Sequence, residues 1–216
     1  MTHSTAPEHT ARPLRLALAI GGVVLLWLAY ATLQTLSTLG HLGEGLYAAL
    51  SFVPGLLGVG ILLWSGLSPE ACFLQVRRPS KAGFAVLAGV MLFALAAILP
   101  AGMWQGWNWI AALVYAPASG ISQELFFRSA LLPAMLALWK KRPTLALVAH
   151  SVLFGLWHIG PLFLGAPLWA VVAIMVVPFI SGIGWGWAVR HDKTVLWAMV
   201  QHSLIWVIGL QFAFDA

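Results

Sequence analysis

SGISQELFFRSALLP, residues 119–133, sets Gln123, Glu124 and Arg128 in a run of otherwise apolar and small residues. Whether that run is a soluble helix or a membrane span decides the fold, and the rest of the chain supplies the answer. Of 216 residues, 61% are apolar and 8% charged, with twelve Trp, and the mean hydropathy is +0.92. A soluble globular domain carries roughly a quarter charged residues. Apolar runs near the ~20 residues that cross a bilayer recur along the chain. The reading is an all-α, polytopic transmembrane helical bundle. No extramembrane segment is long enough for a soluble domain.

The runs predict about seven spans, at 14–36, 45–66, 82–103, 107–138, 144–164, 167–189 and 195–213. Residues 1–13, MTHSTAPEHTARP, read as a polar tail, and residues 14–216 as a single transmembrane domain. The first run is longer than the ~7–15-residue apolar core of a cleavable signal peptide, so it reads as an uncleaved span. Ten of the eleven Lys and Arg residues fall at the tail and in the loops after spans two, four and six. Such an excess marks the cytoplasmic side, which gives a cytoplasmic N-terminus and an external C-terminus. It also accounts for the isoelectric point near 9.9 without a nucleic-acid partner. Cys72 is the single cysteine, which excludes a disulfide framework and a thiolate metal site.

Span four is too long for one straight crossing, since about 32 residues at 1.5 Å each make roughly 48 Å against a ~30 Å core. A broken helix is expected, with Pro117 and Gly120 supplying the break, and Trp104, Trp107 and Trp109 forming an interfacial belt.

Glu124 is the one acidic residue inside an apolar span, and Arg128 the one basic residue outside the loop clusters. A charge at mid-bilayer costs at least ~2.5–3.5 kcal/mol, and at i and i+4 these two can pair. A structural ion pair is one reading. His150, His158 and His202 also lie within spans, and His150, Phe154 and His158 share a stripe of one helix. At 1.5 Å per residue from the basic clusters, Glu124 and His158 both come at about 24 Å, Arg128 at about 18 Å, His202 at about 14 Å and His150 at about 12 Å. One polar cavity explains that layer better than scattered packing residues. A buried carboxylate beside imidazoles suits two chemistries. It can activate water as a general base while a His stabilises an oxyanion, or join two His as zinc ligands. No HExxH helix is present, and zinc is the minority alternative to a site without cofactor.

These residues resemble the CAAX prenyl protease and bacteriocin-processing family of intramembrane glutamic endopeptidases. The family's EExxxR motif aligns with Gln123-Glu124-Leu125-Phe126-Phe127-Arg128, its FxxxH with Phe154-Gly155-Leu156-Trp157-His158, and its last His with His202. Gln123 stands where the motif has its first Glu, and Trp206 where Asn usually follows the last His. The resemblance spans about 107–213, the family core. It implies an endopeptidase that cleaves a membrane-inserted or membrane-adjacent peptide in the bilayer of a bacterial inner membrane, with removal of a C-terminal sorting tail as one such reaction. Glu124 and His158 would activate water and His202 would stabilise the oxyanion. Gln123, Arg128 and Phe154 would support them, and Gln123 or Gln201 would replace the missing Asn donor. Two alternatives stay open: a non-catalytic member acting as scaffold or bacteriocin-immunity protein, and a proton-coupled transporter.

Overall fold

The computed structural model describes residues 8–99 and 103–213. Most of the predicted polar tail and Asp215 lie outside the described residues, as does the side chain of Arg12. Helices α1 (Glu8–Thr38), α2 (Glu44–Leu50), α3 (Phe52–Trp64) and α4 (Lys81–Ile98) are followed by a long helical run through α5 (Ala116–Phe126) and α6 (Leu132–Leu138). Then come α7 (Pro143–Leu156), α8 (Leu168–Asp192) and α9 (Leu196–Gly209). Among the described residues five helical stretches are long and apolar enough to cross a membrane: Pro13–Thr38, Glu44–Trp64, Ala111–Leu138, Pro143–Leu164 and Leu168–Asp192. Two shorter apolar helices, Lys81–Ala97 and Leu196–Gly209, complete the bundle. The protein is therefore an all-α bundle and an integral membrane protein.

Local chemistry explains where the helices start and how their polar residues survive. Ser80 caps α4, its Oγ accepting from Gly83 N–H at 2.9 Å. Thr32, Thr35 and Thr38 donate their hydroxyls back to the carbonyls of Leu28, Ala31 and Gln34, so α1 hides its own donors. Many large apolar side chains point outward, among them Leu14, Leu25 and Leu28 of α1 and Leu168 and Trp169 of α8. That inverted surface suits lipid rather than water.

The interruption of the fourth span takes the form of two widened turns rather than a gap. Ala111–Tyr115 and Phe127–Leu131 are π-helical, and they flank α5. Pro117 is the second residue after the first. Lacking an N–H, and with a ring that crowds the carbonyl one turn back, it fits where the preceding turn widens. The chain stays helical throughout and delivers a different face below each widened turn.

Small residues let this central helix approach its neighbours. A Cβ at Gly58 of α3 would stand 2.8 Å from the Cβ of Ala130, and one at Gly120 of α5 would stand 2.5 Å from the backbone N of Ser203 on α9. Without hydrophobic drive between helices in lipid, such close backbone contact is a main source of association. Tyr30, Phe126, Phe127, Phe154 and Trp157 fill the space between α1, α5 and α7, with Tyr30 and Trp157 centroids 5.0 Å apart. A two-residue antiparallel pair, Met103–Trp104 with Phe212–Ala213, ties the chain entering the central helix to the chain leaving α9.

Candidate active site

The close α5–α9 contact sets Glu124 against His202. Nδ1 of His202 lies 2.8 Å from Oε1 of Glu124, and Nε of Arg128 lies 3.1 Å from Oε2. All three side chains are buried. The Arg128–Glu124 approach is an ion pair rather than an aligned hydrogen bond, since neither Nε nor Oε2 has a hydrogen-bond partner among the described residues. Arg128 is held instead by rings: its guanidinium carbon lies 4.3 Å from the centroid of Phe154 and 5.1 Å from that of Trp185. Ring faces attract a desolvated cation and offset part of its burial cost. Trp185 also stacks on His202 at 4.4 Å.

His202 makes a second bond that fixes its proton. Trp206 Nε1 lies 3.0 Å from His202 Nε2. An indole nitrogen only donates, so Nε2 must accept and the ring proton sits on Nδ1, facing Glu124. Gln201, one residue earlier, is also committed. Its Oε1 accepts from Trp185 Nε1 at 2.6 Å and its Nε2 donates to the carbonyl of Leu87 at 2.6 Å. Gln201 therefore fixes the plane of Trp185.

A cavity of about 300 Å³ opens beside this assembly, lined by Gln123, His158 and Trp206 together with Tyr47, Ser119 and Asn108. It lies toward the end of the bundle opposite the basic loops, where Glu44 of α2 also reaches it. His158 donates Nδ1–H to the carbonyl of Phe154 at 3.0 Å, which leaves Nε2 as an acceptor. Gln123 donates Nε2–H to Ser119 Oγ at 2.7 Å, and its buried Oε1 has no hydrogen-bond partner among the described residues. Phe154 lies between the two groups, 5.3 Å from the His158 ring and 6.2 Å from the His202 ring.

The six residues singled out from the sequence thus divide into two layers. Glu124, Arg128, His202 and Phe154 form a buried ionic and aromatic layer, and none of them lines the cavity. Gln123 and His158 form part of the cavity wall. His150 stands apart from both, fully buried with Nδ1 3.4 Å from Ser151 Oγ. Among the described residues no three His, Cys, Asp or Glu side chains come together as a metal site would need. Trp185 was not visible as a site residue, because one Trp among twelve carries no motif.

No curated protein and no solved structure shows significant similarity to the chain. Residues 104–208 match the family described as type II CAAX prenyl endopeptidase, Rce1-like. That segment contains the ion pair, all three intramembrane histidines, Gln123, Phe154 and Trp206. Through it nearly half of the chain is similar to the Rce1-like type II CAAX prenyl endopeptidases, a family of membrane proteases.

Proposed function

We propose that the chain is an intramembrane endopeptidase that hydrolyses a peptide bond of a membrane-inserted or membrane-adjacent substrate reached through the 300 Å³ cavity. The observation that carries this reading is a pair of acceptors on two residues of one cavity wall, His158 Nε2 and the buried Gln123 Oε1, neither opposed by a protein donor among the described residues. A water between them donates one O–H to His158 and the other to Gln123. Its oxygen lone pair then forms the C–O bond to the scissile carbonyl while the C=O π pair moves onto oxygen. His158 takes the water's proton and returns it to the departing amide nitrogen as the C–N bond breaks. Proton transfer by a positioned side chain contributes ~10²–10⁴-fold.

Gln123 orients the water and does not ionise, because an amide has no useful proton affinity. Glu124, with Arg128 on one oxygen and His202 on the other, acts as a positioning group that holds α5 and α9 in register at the cavity. His202 shares that role, its one ring proton being given to Glu124. No metal enters these steps, and activity that survives a chelator is the expected outcome. With the basic loops cytoplasmic, the cavity faces the outer half of the bilayer, which suits removal of a hydrophobic C-terminal sorting tail.

The test incubates membranes carrying the wild-type chain or His158→Ala in ¹⁸O water and reads released peptides by mass spectrometry. Peptides with a labelled new carboxylate are expected from the wild type and not from the variant. Identical products from both, or none from either, would make the chain a non-catalytic member. That second reading is favoured by Gln123 and Trp206 at the Glu and Asn positions.

A further inference from the structure

A second cavity, of about 580 Å³, lies at the other end of the bundle, among the basic loops. Its wall carries Lys140, from the chain after α6, and Lys193, from the chain after α8, and, among the described residues, no carboxylate. Neither lysine is in an ion pair among the described residues. The carboxylate nearest in sequence, Asp192, accepts from Ser80 N–H at 3.2 Å and pairs with His191. Ser68 also lines the cavity, and its Oγ accepts from Ala71 N–H at 3.2 Å, so its own O–H is free to donate. Three donors, two of them cationic, thus face a space with no anion of its own. The rest of the wall includes Leu16, Leu67 and Leu136, which are apolar.

The backbone holds this arrangement in an unusual state. Phe73 and Lys193 are the two non-glycine residues with positive φ among the described residues, at 58° and 57°, and both line this cavity. Val195 N–H donates to the Phe73 carbonyl at 2.9 Å, and Leu74 bridges Thr194 next to it. Lys193 Nζ lies 5.8 Å from the Phe73 ring centroid. Left-handed backbone at bulky residues persists only where the surroundings over-determine it, and it concentrates at ligand clamps. Here it fixes the departure point of the Lys193 side chain.

We propose that this cavity binds a phosphate group, with the lysines and the Ser68 hydroxyl on its oxygens and the apolar wall along an attached acyl chain. Basic pockets between spans on the side with the positive loops are suited to anionic headgroups. A phosphate has the charge for two ammonium groups and the acceptors for a hydroxyl. The apolar wall favours phospholipid over free phosphate as the source.

The test follows thermal unfolding of the full chain in detergent with added phosphatidylglycerol, phosphatidylcholine, or inorganic phosphate matched in ionic strength by chloride. A rise in Tm of several degrees is expected with phosphatidylglycerol and not with phosphatidylcholine. Lys140→Gln with Lys193→Asn, which keeps a residue tolerant of left-handed backbone, should abolish that rise. Lys81→Gln, at the same end but outside the cavity, should retain it. Each lysine should change apparent lipid affinity roughly 5-fold. Equal rises with inorganic phosphate and with lipid, both lost in the double variant, would uphold the site and assign it to free phosphate. A rise that survives the double variant, or is lost equally in Lys81→Gln, overturns the proposal. If the double variant does not fold, Lys140→Gln alone, at an exposed position, decides by native mass spectrometry. Undiminished retention of phosphatidylglycerol would then overturn the site.

Discussion

Trp206 donates its indole N–H to Nε2 of His202 from one turn further along α9, at 3.0 Å. Because the donor has no alternative, the imidazole is held in one tautomer, with Nδ1–H on Glu124 at 2.8 Å. The ¹⁵N shifts of histidine-labelled protein in bilayers should show His202 with a protonated Nδ1 and an unprotonated Nε2. Trp206→Phe removes a hydrogen bond of about 0.5–1.5 kcal/mol and should bring in the second tautomer. A wild-type spectrum with Nε2 protonated would contradict the arrangement.

Glu124 and Arg128 are fully buried, 3.1 Å apart. Removing one partner of a buried pair costs about 3–5 kcal/mol, because the other is left as an uncompensated charge, whereas replacing both by apolar groups is often neutral. Glu124→Leu should therefore lower the unfolding midpoint sharply, and Glu124→Leu combined with Arg128→Met should recover most of it. Should the double variant be less stable than the single one, the ion pair itself would be contributing net stability beyond its rings.

The ion pair, the FGLWH stripe and His202 were all legible in the sequence, since a charge or imidazole in an apolar run stands out and i, i+4 spacing names its partner. The assignment of Glu124 and Gln123 to different layers was not. Neighbours on a helix point about 100° apart, and the widened turns at 111–115 and 127–131 shift that phase. A π turn built from residues in ordinary helical backbone leaves no compositional mark, so Pro117 read as a break rather than as a proline seated in the turn that follows a widened one. The seven apolar runs located the helices within a few residues. The short β pair has no pattern to find in two residues.

Gly120 allows the α5–α9 approach on which the Glu124–His202 contact depends. A Cβ there would lie 2.5 Å from the backbone N of Ser203 and 2.7 Å from its Cα, neither of which can rotate away. Gly120→Ala should cost about 1–3 kcal/mol, the range for overpacking, and should reduce any peptidase activity with it. Gly60→Ala, where nothing lies within 4 Å, should be neutral or stabilising, by up to ~1 kcal/mol of helix propensity. Equal effects at the two positions, in unfolding curves measured side by side, would dissociate the glycine from the helix contact.

Gln123→Glu restores a carboxylate at the cavity wall. In the wild type the amide Oε1 can only accept from water, so of the pair Gln123 and His158 only the histidine can take a proton. A carboxylate beside Ser119 would accept a hydrogen bond once the serine hydroxyl turns to donate, and it would add a second base to the wall. General-base contributions of ~10²–10⁴-fold make a tenfold or greater rise in peptide cleavage the expected outcome. The His158→Ala loss should become smaller in that background, because the new carboxylate can take the proton. Initial rates on one substrate for wild type, both single variants and the double variant provide the comparison. If Gln123→Glu is slower than wild type while remaining folded, the Gln123 amide, through its bond to Ser119, is itself the feature the site requires.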